Sequence, residues 1–375
     1  MTNNTHEHLR LISLDVFRGI TVALMIIVNS PGNQTSYVWL DHSVWNGCTF
    51  ADLVFPFFIF IVGVSTTFAL QKAEVKQLRR PQLLQKILKR SILLFLMGVL
   101  LNAFPHHFDF ATIRWFGVLQ RIAVCYFFAS VLFLTTRVST QAIIMMGLMI
   151  GYWLIMAILP LPGTGVHDLT PEGNLAAFLD RQLFASAHLY GKVFDPEGLL
   201  STLPAIATAL LGNLTGVWLM STNTPKQKLS GITIAGFFAL LMGWLWGLWF
   251  PINKTLWTSS YVLWTGGFAL IGLACCYWLI EIQSVKKWSK PFEIFGLNAM
   301  IAYVLHVLFL KIQAMISLPR LDGSPGNLRV YITEHSFGWA SLPNAALLYA
   351  LSYTLLWLFM IQLLVRKNRR TVLTP

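Results

Sequence analysis

Charged residues are scarce in this sequence. Only 11% of its 375 residues are Asp, Glu, Lys or Arg, whereas an ordinary soluble protein carries about a quarter. Apolar residues make up 56%, with 27 Phe and 14 Trp, and the mean hydropathy is +0.64. So few charges cannot cover the surface of a soluble globule of this length. The composition therefore excludes an ordinary cytosolic enzyme and indicates an integral membrane protein.

Cysteines and the common cofactor motifs are also scarce. Four cysteines give no disulfide framework, because Cys125, Cys275 and Cys276 fall in apolar runs. The fourth, Cys48, stands alone near the predicted outer face. The sequence has no zinc-type cluster of His and Glu and no phosphate-cradling Walker loop. We therefore expect no metal.

Long apolar runs dominate the chain. A helix of about 20 apolar residues crosses the hydrocarbon core, since only helices and closed barrels satisfy every backbone group there. The runs are continuous and do not alternate, which excludes a barrel. They predict an all-α polytopic membrane protein with one transmembrane domain over residues 1–375 and ten spans, at 14–30, 50–70, 87–104, 115–135, 141–160, 201–220, 230–250, 260–280, 294–318 and 343–365. The longer connections 161–200 and 319–342 are predicted to cap an outer opening.

The basic residues predict the orientation. If the amino terminus is cytoplasmic, 19 of the 27 Lys and Arg residues lie on that side, seven lie on the other side, and Arg121 lies within a span. Both termini are therefore predicted to be cytoplasmic. The formal charge of +12 then faces anionic membrane lipid, so it requires no nucleic-acid partner.

Several polar residues fall inside the predicted spans. An ionisable side chain there costs about 2.5–3.5 kcal/mol, so each is a functional hypothesis. Asp15 and Arg18 lie three residues apart on one helix face, so an ion pair is the alternative to a ligand role. For His306 the alternative is a hydrogen bond between helices. If they faced one another, these residues would form a polar ladder from the cytoplasmic to the outer end: Asp15, Arg18, Asn298, His306, Asn213, Arg121, Gln120, Asp52 and Asn29.

The segment 29–52, between the first two spans, carries the clearest chemical signal. It has no basic residue and contains His42 between the carboxylates Asp41 and Asp52. A histidine can act as a general base or a nucleophile, and a nearby carboxylate can orient its ring. Thr49 and Asp52 also match a cap at the start of the second helix. The cap and a functional role of Asp52 are compatible, and His42 is the candidate catalytic residue.

Several blocks of the sequence follow one another in a recognisable order. They are 14–20, 42–56, 117–122, 194–200, 256–262, 298–300 and 303–306, together with Asn29. In this order they resemble the heparan-α-glucosaminide N-acetyltransferase family of transmembrane acyltransferases and its bacterial relatives. The blocks span nearly the whole chain, and the first two are long and specific.

The resemblance implies that an acetyl group is taken from cytosolic acetyl-CoA and delivered across the membrane to the amine of a terminal glucosamine. The catalytic histidine of the family matches His42, and an asparagine of the same site matches Asn29. A homodimer and, for a bacterial member, the inner membrane are implied as well. The ten spans lack the extra amino-terminal span and large lumenal domain of the animal enzymes, so we expect a small amino sugar or cell-wall fragment as acceptor.

The expected chemistry leaves two routes open. His42 would deprotonate the amine, or it would carry the acetyl group as an acetyl-imidazole. Asp41 or Asp52 would orient His42, and Asn29 or Arg121 would hold the developing oxyanion. A secondary transporter of amino sugars is the alternative function, with the polar ladder as the substrate path.

The donor is expected to follow the polar ladder from the cytoplasmic side. Its phosphates need cationic groups, which the basic cytoplasmic loops supply. The residues expected to contact acetyl-CoA are Arg18, Asp15, Gln120, Arg121, Asn298 and His306.

Overall fold

The computed structural model describes residues 10–75, 78–105, 109–162 and 168–372. The regular structure of these residues is helical apart from one two-stranded antiparallel hairpin, β1 (Ser317–Pro319) and β2 (Pro325–Asn327). The helices are α1 (Ile12–Asn29), α2 (Phe50–Val75), α3 (Arg80–Ala103), α4 (Val118–Thr135), α5 (Val138–Ile158), α6 (Leu175–Leu183), α7 (Thr202–Met220), α8 (Pro225–Gly247), α9 (Ser259–Tyr277), α10 (Lys290–Leu297), α11 (Ala299–Met315), α12 (Leu328–Phe337) and α13 (Leu342–Val372). The all-α polytopic fold predicted from the sequence is confirmed.

Eight helices in the described ranges are long and apolar enough to cross a membrane, and a ninth span results if α10 and α11 count together. Those two helices are bent by 80° where they join at Asn298, so the predicted span 294–318 is not one straight helix. The predicted span 87–104 lies almost entirely within α3, which begins seven residues earlier. The first half of α3 carries Arg80, Lys86, Lys89 and Arg90. Its uncharged part, at about 1.5 Å per residue, falls short of the roughly 30 Å hydrocarbon core.

The chain divides into two compact units. The first contains, of the described residues, 10–11, 43–48 and 55–275, which include most of α2, all of α3 to α8 and α9 up to Cys275. The second contains residues 12–42, 49–54 and 276–372, which include α1, the start of α2, α10 to α13 and the β-hairpin. The single domain predicted from the sequence stays a prediction.

Polar side chains connect helices inside the first unit. The Asn213 amide on α7 donates to the Ala129 carbonyl of α4 at 2.9 Å and to the Gln141 side chain of α5 at 3.2 Å. The Tyr152 hydroxyl of α5 donates to the Leu256 carbonyl at 2.6 Å. These groups are buried, where an unsatisfied donor costs about 1–3 kcal/mol. The bonds therefore fix how α4, α5 and α7 pack.

Two glycines bring α1 and α10 together in the second unit. A Cβ atom on Gly19 would lie 1.8 Å from the Phe292 carbonyl oxygen, and one on Gly296 would lie 1.9 Å from the Asp15 carbonyl oxygen. No side chain fits at such distances, so the two backbones touch. Small residues permit this kind of close helix packing in membranes. Here the packing fixes the position of α1, the helix that leads into the segment 29–52.

The two longer connections contain ordered structure in their described parts. The first includes α6, which the Asn174 side chain caps by accepting from the Ala177 N–H at 2.8 Å. The second includes the β-hairpin and α12. The Thr333 hydroxyl of α12 donates to the Gly32 carbonyl at 2.9 Å, which ties α12 to the segment after α1. Their predicted role as outer caps stays a prediction.

Candidate active site

A histidine and a carboxylate meet where the segment 29–52 enters α2. The Nδ1 atom of His42 lies 2.8 Å from Oδ1 of Asp52. The Asp52 side chain is fully buried, whereas half of the His42 side chain is exposed. The structure therefore brings together two of the residues predicted to be catalytic, with the ring accessible and its partner fixed.

The second oxygen of Asp52 binds the residue that precedes α2. The Thr49 N–H donates to Oδ2 of Asp52 at 3.0 Å, and the Thr49 hydroxyl lies 3.0 Å from the same atom. A carboxylate in the first helical turn that accepts from the residue before the helix is one half of a capping box. The predicted cap is confirmed, and both oxygens of Asp52 are engaged, so the carboxylate is held in one orientation.

This geometry determines which nitrogen of His42 is reactive. An ionised carboxylate only accepts hydrogen bonds, so Nδ1 carries the proton when the ring is neutral. The lone pair is then on Nε2, the nitrogen that does not face Asp52. A neutral imidazole held in this tautomer can take a proton from an amine or attack a carbonyl.

Asp41 has a different position from Asp52. Its carboxylate accepts a hydrogen bond from the Ser36 hydroxyl, and its carbonyl accepts from the Thr49 hydroxyl at 2.6 Å. Of the two carboxylates that the sequence left open, Asp52 is the one at Nδ1 of His42. Asp41 instead ties the preceding turn to the start of α2.

Asn29 is the last residue of α1, and its side chain is exposed. Within the described residues it makes no hydrogen bond to His42 or Asp52. Its predicted place in the site rests on the sequence alone.

Three of the predicted donor-binding residues lie around the α1–α10 contact. The Arg18 guanidinium donates to Asp15 at 3.3 Å and to the Gly296 carbonyl at 3.4 Å. The ion pair that was the alternative to a ligand role is therefore present. Asn298 lies two residues after Gly296, at the α10–α11 bend, and its side-chain amide donates to the Ile294 carbonyl at 2.8 Å. The structure brings Asp15, Arg18 and the α10 end that carries Asn298 into one region.

His306 lies in α11 with no exposed surface. Its Nδ1 atom is 3.1 Å from the Ala302 carbonyl, and its own carbonyl accepts from the Tyr353 hydroxyl at 2.9 Å. Its Nε2 atom is buried without a hydrogen-bond partner among the described residues. Among the described residues the His306 ring thus bonds within α11 and makes no hydrogen bond to another helix, whereas its backbone carbonyl accepts one from α13.

Gln120 and Arg121 lie near the start of α4, in the first unit, and both are buried. One guanidinium nitrogen of Arg121, Nη2, donates to the Gly198 carbonyl at 3.1 Å and to the Ser201 hydroxyl at 2.5 Å. The guanidinium also lies 5.1 Å from the centre of the Trp257 ring. Its Nε and Nη1 atoms, and Nε2 of Gln120, have no partner in the part of the chain that the structure describes. Buried donors normally find acceptors, so these atoms are suited to an anionic or carbonyl group of a ligand.

The segment around Gly198 contains charged residues for which the sequence reasoning predicted no role. The Arg114 guanidinium donates to both oxygens of Asp195, at 2.8 and 2.6 Å, and also binds Glu197. It lies 4.8 Å from the centre of the Tyr190 ring. The only signal in the sequence for the segment around Gly198 was the resemblance of the block 194–200 to the acetyltransferase family.

Two groups in this segment have displaced pKa values. Burial lowers the pKa of Arg114, but the hydrogen bonds and charges of Asp195 and Glu197 outweigh it, so the pKa is raised. Burial raises the pKa of Asp180 to about 6, against the hydrogen bond that it accepts from the Leu199 N–H. Arg114 therefore stays charged, whereas Asp180 loses its proton near neutral pH.

Comparison with known proteins adds independent findings. The family model described as heparan-alpha-glucosaminide N-acetyltransferase, catalytic, matches residues 10–245. The heparan-alpha-glucosaminide N-acetyltransferase of Homo sapiens is 31% identical over 360 residues, which cover 80% of this chain and 53% of the human protein. That of Mus musculus is 30% identical over 358 residues, 79% of this chain and 53% of the mouse protein. The chain thus spans about half the length of these relatives.

Proposed function

The chain belongs to the heparan-alpha-glucosaminide N-acetyltransferase family, and from this we propose that it transfers an acetyl group from acetyl-CoA to the amine of a glucosamine-type sugar. The matched region, residues 10–245, includes His42, Asp52 and Arg121. The observation that carries the proposal is the 2.8 Å contact between His42 and Asp52.

In the direct route His42 acts as a general base. The amine nitrogen of the acceptor attacks the thioester carbonyl, so a C–N bond forms and the C–S bond breaks. Nε2 of His42 takes the proton that the amine loses and returns it to the departing CoA thiolate. Asp52 stabilises the imidazolium that exists between these two transfers, since its carboxylate faces Nδ1.

In the covalent route His42 is the nucleophile. Nε2 attacks the thioester carbonyl, so an N–C bond forms, the C–S bond breaks and CoA leaves as the thiolate. The amine then attacks the acetyl-imidazolium, and its new C–N bond replaces the bond to Nε2. The proton that the amine loses passes through Nε2 to solvent, where it balances the thiolate. Both routes need the same tautomer of His42. They differ in kinetics, because only the covalent route releases CoA before the acceptor binds.

The donor needs cationic partners for its phosphates, and each unit has one candidate. Arg18 lies in the unit of His42, and its guanidinium is partly exposed beside Asp15. Arg121 lies in the other unit and has two guanidinium nitrogens without protein partners among the described residues. An arginine fork is well suited to phosphate or to a polarised carbonyl.

We propose three further residues as contacts of the donor: Gln120, Asn298 and His306. At the oxyanion of the reaction, Asn29 is the alternative to Arg121.

The proposal includes the side of the membrane. The basic residues favour cytoplasmic termini, so acetyl-CoA binds from the cytoplasm and the sugar is acetylated at the periplasmic side of a bacterial inner membrane. Assembly as a homodimer belongs to the same proposal.

The direct test is His42→Ala in the full chain, purified in detergent and assayed with radiolabelled acetyl-CoA and glucosamine. We expect acetyl transfer to be abolished while CoA still binds. His335→Ala is the matched control, because His335 is also exposed and lies in the same unit. Full activity of His42→Ala would overturn the proposal.

The bent pair of α10 and α11 is the observation that favours the alternative function, a transporter. Transporters often bind their substrates where a membrane helix is broken, and the 80° bend at Asn298 is such a break. Uptake of labelled glucosamine into proteoliposomes without acetyl-CoA would favour a secondary transporter of amino sugars. A lack of uptake together with acetyl transfer would favour the enzyme.

A further inference from the structure

An exposed aromatic cluster flanks the His42–Asp52 pair along the chain, since Trp39 precedes His42 by three residues and Phe50 precedes Asp52 by two. Trp39 leaves 53% of its surface exposed although it is one of the largest apolar side chains, and Phe50 leaves 38%. The centres of the Tyr37 and Trp39 rings are 6.1 Å apart with their planes inclined by 27°, and the Trp39 and Phe50 rings meet edge to face at 6.2 Å. We name Tyr37, Trp39 and Phe50 the aromatic shelf.

The turn that carries the shelf is tightly closed. The Tyr37 carbonyl accepts from the N–H groups of Leu40 at 2.8 Å and Asp41 at 3.1 Å. The Tyr37 hydroxyl donates to the Asn344 side chain at 2.5 Å, which fastens the turn to α13. Trp39 is therefore exposed on a fixed piece of backbone, which keeps the entropy cost of binding on its ring low.

The turn and the candidate catalytic pair share their supports. The Asp41 carbonyl accepts from the Thr49 hydroxyl, which also lies 3.0 Å from the Asp52 carboxylate. Phe50 is the first residue of α2, and Asp52 lies in the same first turn. The Thr49 hydroxyl thus joins the turn that carries Trp39 to the start of α2, which carries Phe50 and the carboxylate that orients His42.

The charge around the shelf favours a cationic ligand. The segment 29–52 contains two carboxylates, Asp41 and Asp52, and no Lys or Arg. An amino sugar is a cation while its amine is protonated, so these carboxylates favour its approach, and the amine gives up that proton to solvent before its nitrogen attacks. Helices and loops that anchor to anionic lipid instead carry Lys and Arg beside their aromatic residues.

We propose that the aromatic shelf is the acceptor subsite, on which the apolar face of a hexosamine ring packs while its amine points to His42. This assignment rests on the proposed function and deepens it. The C–H face of a pyranose is flat and apolar, so a rigid indole can bury it in a way that an acyclic amine cannot match. Trp39 is therefore a specificity-determining residue, which favours cyclic amino sugars over small open-chain amines.

The experiment compares two acceptors in the purified full chain. Trp39→Ala should raise the KM for glucosamine about tenfold and leave the KM for acetyl-CoA unchanged. Its kcat/KM for ethanolamine, which has no ring, should stay the same, so the preference for glucosamine falls. Trp39→Phe should retain most of the preference. Trp339→Ala is the matched control, since Trp339 is also exposed in the same unit.

A replacement variant and the contrary result complete the test of the acceptor subsite. If Trp39→Ala does not fold, Trp39→Leu, which keeps an apolar side chain without a ring, takes its place in the same assay. An unchanged KM for glucosamine would overturn the subsite and leave Trp39 as a residue of the membrane interface.

If the wild-type chain transfers no acetyl group, the proposed function fails, but saturation-transfer NMR with glucosamine still tests the shelf. Magnetisation that reaches the ring protons in the wild type and not in Trp39→Leu supports it, and equal transfer in both overturns it.

Discussion

Oδ1 of the buried Asp52 lies 2.8 Å from Nδ1 of the half-exposed His42. The same carboxylate closes the first turn of α2 through Thr49. One side chain thus both caps a helix and orients the candidate catalytic ring. The reactivity of His42 therefore depends on the local fold of the α2 start, and five predictions follow from this and the neighbouring contacts.

Asp52→Asn should abolish most of the activity while the chain still folds. The amide of Asn would donate to Nδ1 and move the ring proton to Nε2, where it blocks the reactive lone pair. A change of tautomer of this kind costs on the order of 10⁴-fold in kcat in a Ser-His-Asp enzyme. Steady-state kinetics with acetyl-CoA and glucosamine measure it. Asp41→Asn, whose carboxylate binds Ser36, should retain most of the activity, and equal losses in both variants would contradict the assignment.

Thr49→Ala should loosen the site, whereas Thr49→Ser should not. The Thr49 hydroxyl lies between the Asp41 carbonyl and the Asp52 carboxylate, and its loss removes about 1 kcal/mol of hydrogen bonding. We expect a modest fall in the unfolding temperature and a larger fall in kcat, because the Asp52 carboxylate that orients His42 loses one of the bonds that hold its second oxygen. Parallel thermal and kinetic assays of the two variants decide this. A Thr49→Ser variant as impaired as Thr49→Ala would point to the methyl group instead.

Gly19→Ala should force α1 and α10 apart. Its Cβ atom would overlap the Phe292 carbonyl oxygen at 1.8 Å, and overpacking of this kind costs about 1–3 kcal/mol. Gly147→Ala in α5 is the control, since a Cβ atom there meets nothing within 4 Å. Unfolding in detergent should separate the two variants. Equal unfolding temperatures would show that the α1–α10 contact can relax.

Arg121→Met and Arg114→Met should act in opposite ways. Arg121 is buried with two nitrogens unpartnered among the described residues, so an apolar side chain of similar length should hold or raise stability. Its KM for acetyl-CoA should rise about tenfold or more, as for a lost hydrogen bond to a charged group. Loss of Arg114 leaves Asp195 and Glu197 without their cation, which should cost on the order of 2 kcal/mol. Thermal unfolding and donor kinetics on both variants test the contrast, and an unchanged donor KM in Arg121→Met would remove Arg121 from the donor site.

Asp180 should make stability depend on pH. Its pKa rises from an ordinary 3.8 to about 6 in the folded chain, so the folded state holds the proton more tightly than the unfolded state. The stabilisation is fully present below about pH 4 and is lost as the pH rises through 6. Asp180→Asn should flatten this part of the profile. Unfolding temperatures in detergent from pH 4 to 7 measure the effect, and an unaltered slope in the variant would assign it to another group.

The helices were largely predictable because burial of apolar runs in lipid is a local property of the sequence. The bend at Asn298 was not, since a straight and a bent pair of helices have the same hydropathy. The reduced apolar length of α3 was visible in the sequence, because its basic first half leaves a run after Arg90 that is shorter than a span. These differences lie in backbone geometry and in the distribution of charge within one helix.

By itself the sequence determined the membrane class, the all-α fold and the segment 29–52 that carries His42, because these depend on composition and on residue types along the chain. Tertiary structure alone decided that Asp52 rather than Asp41 faces Nδ1 of His42. It also decided that Arg121 binds the Gly198 segment, and that Trp39 is exposed on a closed turn. The physical reason is that hydrogen bonds need atoms within about 3 Å in the right direction, and only the closure of a turn or the packing of helices sets such distances.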